Sequence, residues 1–165
     1  MIPVRPTREP DINRLEAVER SAGSLFRALP DLAWIADDRT AGPDAHARAV
    51  AQGLSWVAVD AEDQPIGFLI AAEADADLHI LELSVSADHQ GRGAGRALMA
   101  TARHAAEACA KQALTLTAFS SVPWNAPFYA RLGYAALTFA ETPAYLRETL
   151  ALSLIHISEP TRPLY

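Results

Sequence analysis

The sequence predicts an α/β domain, and three observations predict it. Three apolar segments joined by tight turns occupy residues 55–85. Segments with helical spacing precede them. A long alanine-rich helix followed by a β-branched strand comes after. Strands with such short connections form an antiparallel meander, whose apolar faces the helices must cover.

The elements follow in order. Residues 2–5 suit a first short strand. Pro10-Asp11 opens a helix in which Ile12, Leu15 and Val18 share a face, and it fades near Gly23. Residues 26–35 are mixed. Asp37-Asp38 and Ala41-Gly42-Pro43 mark a loop. Asp44 suits the N-cap of a helix over residues 45–52, with Gly53 as its stop. The meander takes strands at 55–59, 66–72 and 78–85, with turns at 60–64 and around Asp75 and Asp77. A helix is expected over 96–111, a strand over 114–119, a loop at Pro123-Trp124 and a short helix over 125–132 stopped by Gly133. A strand over 134–139 and a helix over 143–151 complete the pattern.

Composition narrows the function. The chain has 165 residues, 50% of them hydrophobic and 21% charged, enough for one cored domain rather than a disordered chain. Fourteen Lys and Arg against 20 Asp and Glu give a formal charge of −6, so no global field draws the chain to nucleic acid. The longest apolar stretch, residues 66–72, is too short to span a bilayer. The single cysteine, Cys109, excludes an internal disulfide and fits a reducing cytosol. Residues 1–11 carry Pro and charge where a secretory leader would be apolar. A cytoplasmic location is the expectation. No His, Cys or Asp spacing suggests a metal site.

The most informative segment is Gln90-Gly91-Arg92-Gly93-Ala94-Gly95, between an apolar strand and a long helix. A helix N-terminus exposes unpaired N–H groups and partial positive charge. Glycines let a backbone approach an anion closely. With Arg92 and Arg96 beside them, these features suit a pyrophosphate. A P-loop would end in Gly-Lys-Ser or Gly-Lys-Thr, whereas this one ends Gly95-Arg96-Ala97. The dinucleotide fingerprint needs a glycine where Arg96 stands, and needs a βαβ unit rather than a meander. The competing reading is a tight turn that merely starts a helix.

In this loop the chain resembles the GNAT superfamily of acetyl-CoA-dependent N-acetyltransferases, whose pattern is Gln/Arg-x-x-Gly-x-Gly/Ala. A second block, Asn125-Ala126-Pro127-Phe128-Tyr129-Ala130-Arg131-Leu132-Gly133-Tyr134, resembles the family's Asn-x-x-x-x-Tyr-x-x-x-Gly-Phe/Tyr segment. The two stand in the family's order and cover about residues 2–139. The resemblance implies the GNAT fold, a mixed, mostly antiparallel sheet flanked by helices. It implies acetyl transfer from acetyl-CoA, as co-substrate, to a primary amine by direct attack in a ternary complex. A non-catalytic acyl-CoA-binding sensor or scaffold is the alternative. The partners implied are acetyl-CoA and an amine acceptor, with no nucleic acid and no membrane, and with room for a homodimer.

The resemblance also assigns roles. Gln90, Gly91, Arg92, Gly93, Ala94, Gly95 and Arg96 would bind the cofactor, the backbone N–H groups of Arg92 to Arg96 holding the CoA pyrophosphate. Leu83, Ser84 and Val85 would pair with the pantetheine arm as with an added strand. In the family a bulge splays this strand from the next, and the arm enters there. The Val85 N–H would polarise the thioester carbonyl. Asn125 and Phe128 would lie on the pantetheine side. Tyr129 would protonate the departing thiolate, the competing reading being a core aromatic. Glu82 is the expected base, with His79 on the same strand as second candidate or a water chain between; either residue could equally be a structural one. His89 and His104 read as surface residues. Phe26, Trp34, Trp124 and Tyr145 are aromatic candidates for the acceptor pocket. Asp37, Asp38 and Glu82 are its anionic candidates, though most of these should be core or solvated.

The domain is expected over residues 1–151, with 152–165 an atypical tail. Residues 152–157 have strand composition and are the candidate partner for the strand at 134–139, making the family's last strand truncated or replaced. Pro160 and Pro163 lack N–H groups and should end the ladder at Ser158, leaving 159–165 poorly packed. Residues 153–165 also resemble translated adapter read-through, which implies a tail that is not native.

Overall fold

The computed structural model describes residues 1–37, 40–119, 122, 124–138, 140–152 and 158–163. The elements are β1 (Val4–Pro6), α1 (Ile12–Gly23), α2 (Pro43–Ala51), β2 (Ser55–Val59), β3 (Pro65–Ala74), β4 (Asp77–Val85), α3 (Ala94–Ala108), β5 (Leu114–Phe119), α4 (Ala126–Arg131), β6 (Tyr134–Ala136), α5 (Ala144–Leu152) and β7 (Ser158–Pro163), with short 3₁₀ turns at Glu9–Asp11, Ser24–Ala28, Ala33–Asp37 and Ala87–His89. The α/β class, the meander and the order of helices agree with the sequence reading. Asp38, Pro123, Phe139 and residues 153–157 lie outside the described residues.

The chain divides into two compact units. The first comprises Met1–Ala72 and Leu81–Ala105. In it β1 runs antiparallel to β2 (Val4↔Ala58) and β2 antiparallel to β3 (Val57↔Phe68, Ser55↔Ile70). Alternate residues of a strand share a face, so Val57 and Val59 join Phe68 and Ile70 on one side. Leu15 and Val18 of α1, three apart, and Ala49 of α2 close over them. All five residues of β2 are buried, so both its faces are covered. Leu98, Met99 and Ala102 of α3 are buried in the same unit. Arg5 on β1 holds Asp11 through two bonds of 2.7 and 3.1 Å and Asp63 in the β2–β3 turn at 2.8 Å. Both bonds, with that charge beside them, keep the Asp11 carboxyl below the usual range even though burial acts the other way.

The start of α2 differs from the expectation. Gly42 caps it, not Asp44, at a φ of +84° that suits glycine. Pro43 takes the first helical position, where no N–H is needed, and Asp44 sits in the first turn against the positive end of the dipole.

The end of β4 is held by β3. A side chain on Gly67 would place its Cβ 3.1 Å from the Ser84 carbonyl and 3.2 Å from a Val85 methyl. A Cβ there would need these neighbours to give by a few tenths of an ångström, and glycine eases the close approach. The Ser86 N–H donates to Ile66 at 2.9 Å.

The second unit comprises Glu73–Ile80 and Ala106–Tyr165. Here β4 begins parallel to β5, with Leu78↔Leu114 and His79↔Thr115 in register and the Leu78 N–H donating to Ala113 at 2.9 Å. Leu78 therefore turns its N–H toward β5, whereas Ser86, eight residues on, turns its N–H toward β3. A strand of unbroken period two would direct both to one edge. The alternation of β4 is thus reset once between them.

The tail departs from the sequence reading. Ser158–Pro163 forms β7, antiparallel to β5 (Phe119↔Ser158, Thr117↔Pro160) and to β6 (Ala136↔Thr161, Tyr134↔Pro163). The ladder does not end at Ser158 as the prolines suggested. Pro160 and Pro163 are three residues apart, so their nitrogens face opposite edges and each ladder lacks one donor at most. Leu152 ends α5 rather than opening a strand. Deleting residues 158–165 would remove the partner of both β5 and β6. Thermal unfolding of the truncated chain should show a midpoint several degrees lower, at about 2–4 °C per kcal/mol for this size. An unchanged midpoint would mean that β7 contributes nothing to stability.

Candidate active site

The loop after β4 is built to present bare N–H groups. Gly91 and Gly93 have φ of +73° and +92°, and a Cβ on either would point into open space. The Ala97 N–H is bonded to the Gly93 carbonyl at 3.0 Å, which makes Gly93 the residue before the first turn of α3. The N–H groups of Ala94, Gly95 and Arg96 then lie at the open end of a 15-residue helix. Arg92 and Arg96 are exposed beside them. The backbone, the dipole and both guanidinium groups favour an anion here.

This loop is braced to the end of β4. The Ser86 hydroxyl and His89 Nδ1 share a hydrogen bond of 2.7 Å. The Ala87 N–H donates to Ser21 Oγ of α1 at 2.9 Å. The Gln90 side-chain amide donates to the Val85 carbonyl at 2.7 Å. His89, expected as a plain surface residue, is part of this brace. Ser21 and Gly67 were not singled out by the sequence reading: a serine near a helix end and a glycine inside an apolar strand carry no signal of their partners.

The first unit also holds two coupled carboxyl groups. Glu82 accepts from the Ser84 hydroxyl at 3.0 Å. The residue keeps a little surface, but its carboxyl is enclosed. Desolvation, helped by the like charge of Glu19, pushes its pKa up to about 7 against the opposing Ser84 bond. Glu19 is raised by burial as well, although the Ala41 N–H donates to both its oxygens, at 2.9 and 3.1 Å. Ser84, expected beside the CoA arm, directs its hydroxyl to Glu82. Leu83 is half-buried and Leu81 is 51% exposed, unusual for a leucine inside a sheet strand.

His79 belongs to a different network, within the second unit. Its Nδ1 lies 2.8 Å from Thr115 Oγ1, which lies 2.9 Å from the Tyr145 hydroxyl, and that hydroxyl donates to Asp77 at 2.8 Å. Burial drives the His79 pKa down to about 4, only partly offset by the Asp77 charge. Tyr145 is raised by burial and uses its hydroxyl to tie α5 to β4 and β5. Asp37 pairs with Arg27 at 3.0 Å on the surface. Trp34 is 41% exposed. In the same second unit Asn125 precedes α4, and its carbonyl accepts the Tyr129 N–H at 3.2 Å. Tyr129 is 7% exposed, with ring centroids of Phe128 and Tyr134 at 5.1 and 5.9 Å. The core reading of Tyr129 and a catalytic use of its hydroxyl are compatible in this setting. Among the described residues no group of three His, Cys, Asp or Glu is placed to hold a metal, and no helix is long and apolar enough to cross a membrane.

A strand whose pairing is reset midway, followed by a glycine-lined helix start, places the chain in an α/β class with an anion-favouring loop after the strand. The chain belongs to the GNAT acetyltransferase family: the model described as "Acetyltransferase (GNAT) domain" matches residues 51–136. Solved structures agree on the fold. PaiA N-acetyltransferase from Thermoplasma acidophilum, in complex with coenzyme A, is 15% identical, with 100% of this chain and 99% of that one covered at a TM-score of 0.73. Rv2747 from Mycobacterium tuberculosis, in complex with CoA and NLQ, is 17% identical, with 99% of each chain covered and a TM-score of 0.74. The ribosomal-protein-S18-alanine N-acetyltransferase from Escherichia coli is 17% identical, with 98% and 90% covered and a TM-score of 0.65.

The buried histidines set an acid limit to stability. His79 is held neutral well below the ordinary 6.5, and burial lowers His46, whose ring nitrogens have no hydrogen-bond partner. The unfolded chain binds their protons first, so the stability they confer is complete above pH 6.5 and is lost as pH falls toward 4, by roughly 3 kcal/mol for His79. Glu82 works in the opposite sense, since its raised pKa costs stability as pH rises from 4.5 to 7. Denaturant midpoints measured from pH 7 to pH 4 should fall less steeply in His79→Gln than in the wild type. Parallel curves would remove His79 from the acid limit.

Proposed function

We propose that this protein transfers an acetyl group from acetyl-CoA to a primary amine by direct attack in a ternary complex. The observation that carries the proposal is an anion cradle at Gly91–Gly93 on the same chain segment as a carboxyl whose proton affinity is tuned to about pH 7. The proposal includes a cytoplasmic enzyme and leaves room for a homodimer.

The N–H groups around Gly91, Arg92, Gly93, Ala94, Gly95 and Arg96 would hold the CoA pyrophosphate. The pantetheine arm would lie along β4 at Leu83 and Val85, and Asn125 and Phe128 would also bind the cofactor. Because the Ser86 N–H turns to β3, the Val85 N–H turns to the opposite edge, where it can donate to the thioester oxygen. An amine arrives protonated and must lose a proton before its nitrogen can attack. Glu82 would take that proton, directly or through a water. The nitrogen then bonds to the acetyl carbon, the carbonyl electrons move to oxygen, and collapse breaks the carbon–sulfur bond. Tyr129 would protonate the leaving thiolate, and the second proton, shed by the nitrogen as the amide forms, would restore the Tyr129 hydroxyl. His79 is a weaker base here: its Nδ1 is committed to Thr115, and desolvation disfavours its charged form.

Acetyl-CoA turnover against a panel of amines, read by thiol release, tests the proposal. CoA binding without turnover would instead favour the sensor or scaffold reading. Gly93→Val should weaken CoA binding at least tenfold in calorimetry with the protein still folded, since φ of +92° strains any β-branched residue. Unchanged affinity would show that the loop is not the cradle.

Tyr129→Phe should lower kcat by about 10²-fold or more and leave acetyl-CoA affinity nearly unchanged. Wild-type kcat would remove Tyr129 from the mechanism. For Glu82 the sign follows from its raised pKa: below pH 7 it carries the proton and cannot accept another. The wild-type kcat/KM should therefore rise with pH through about 7, and Glu82→Gln should abolish that limb while stabilising the fold at pH 8. A variant that keeps the limb would exclude Glu82 as the base.

A further inference from the structure

The sequence pattern places Gln90 in the cofactor-binding loop, and its side chain has a partner within the chain. Its amide nitrogen donates to the Val85 carbonyl at 2.7 Å. In a strand the N–H and C=O of one residue point to the same edge. The edge of Val85 is the one facing away from β3, since Ser86 uses the β3 edge at 2.9 Å. Gln90 therefore occupies the acceptor of Val85 on the side where the donor of Val85 is wanted. The turn that presents Gln90 is itself fixed, by Ser86 Oγ to His89 Nδ1 and by the Ala87 N–H to Ser21 Oγ.

We propose that Gln90 is a positioning residue: its amide clamps the Val85 carbonyl, aligns the Val85 N–H with the thioester oxygen, and fixes the register of the incoming acyl-CoA arm. This rests on the acetyltransferase reading. An arm that docks as an added strand matches donors to acceptors alternately along the edge. With Gln90 on one lone pair of the Val85 carbonyl, an arm slipped outward by one position would have to share that acceptor for its own N–H. The register that places a carbonyl oxygen on the Val85 N–H avoids that competition. Gln90 would thus act through Val85, without touching the reacting atoms.

Gln90→Met removes the donor at similar length, and Gln90→Arg restores one. Gln90 is exposed in this loop, so the fold should survive either change, as a thermal midpoint would verify. Thiol release is measured with acetyl-CoA and the best acceptor among spermidine, lysine methyl ester and an alanine-initiated peptide. CoA affinity is measured by calorimetry. Gln90→Met should lower kcat roughly five- to tenfold, the worth of one hydrogen bond, with CoA affinity within about twofold of wild type by the same reasoning that no phosphate contact is lost. Gln90→Arg should recover most of kcat. Wild-type kcat in Gln90→Met, a loss of CoA affinity as large as the loss of kcat, or failure of Gln90→Arg to rescue would each overturn the proposal. A wild-type chain that neither binds CoA nor releases thiol would overturn the acetyltransferase reading, and the clamp with it. An effect absent only in the variants of an active enzyme would overturn the clamp alone.

Discussion

The close approach of β3 to the end of β4 is the constraint on which the rest depends. At Gly67 a side chain would be tight, because the Ser84 carbonyl and a Val85 methyl stand just over 3 Å from where a Cβ would be. That contact and the Ser86–Ile66 bond fix which edge each peptide group of the strand end faces. The Val85 polar groups are left pointing away from β3. Only a strand whose alternation has been reset can pair with β5 at Leu78 and with β3 at Ser86. The cradle inherits its position from this, since the loop from Ser86 to Gln90 is bonded back onto the same strand end and onto Ser21 of α1.

Electrostatics in the first unit is arranged at some cost to the fold. Glu82 is enclosed beside Glu19, so ionising it opposes both desolvation and a like charge. A protein selected for stability alone would place a neutral residue there. The Ser84 hydroxyl and the Ala41 N–H satisfy the two carboxyls without neutralising them. The outcome is a group that is half ionised near neutral pH, the condition under which a base is most effective. By contrast Arg5 pairs with both Asp11 and Asp63, and that cluster ties β1 to the turns beside it.

Much of the fold was legible because its signals are local. The period of two at Val57 and Val59, the period of 3.6 at Leu15 and Val18, and the glycines at 91 and 93 each report on a few neighbouring residues. The Tyr129 block likewise stood on one helix with Asn125 before it. What was not legible depends on distant partners. Nothing near Gly67 says that Ser84 will press on it, and nothing near Tyr145 says that Thr115 and Asp77 will take its hydroxyl. Gln90 was legible as part of a motif, but not the direction of its side chain. The prolines of β7 misled for a related reason. Their local rule forbids a donor at two positions, whereas the sheet tolerates one missing donor on each edge when a strand has neighbours on both sides.

The reset of β4 and the enclosure of Glu82 are two results of one arrangement. On a strand, neighbouring residues alternate both in the face of the side chain and in the edge of the peptide groups. Once Val85 must offer its N–H to the free edge, the residue three places earlier has its peptide groups on the β3 edge and its side chain on the opposite face from Val85. That face is the one whose carboxyl feels Glu19 of α1. Glu82 and Val85 therefore need no separate scaffolds. One strand end, fixed by a glycine contact on one edge and a glutamine on the other, sets the orientation of both.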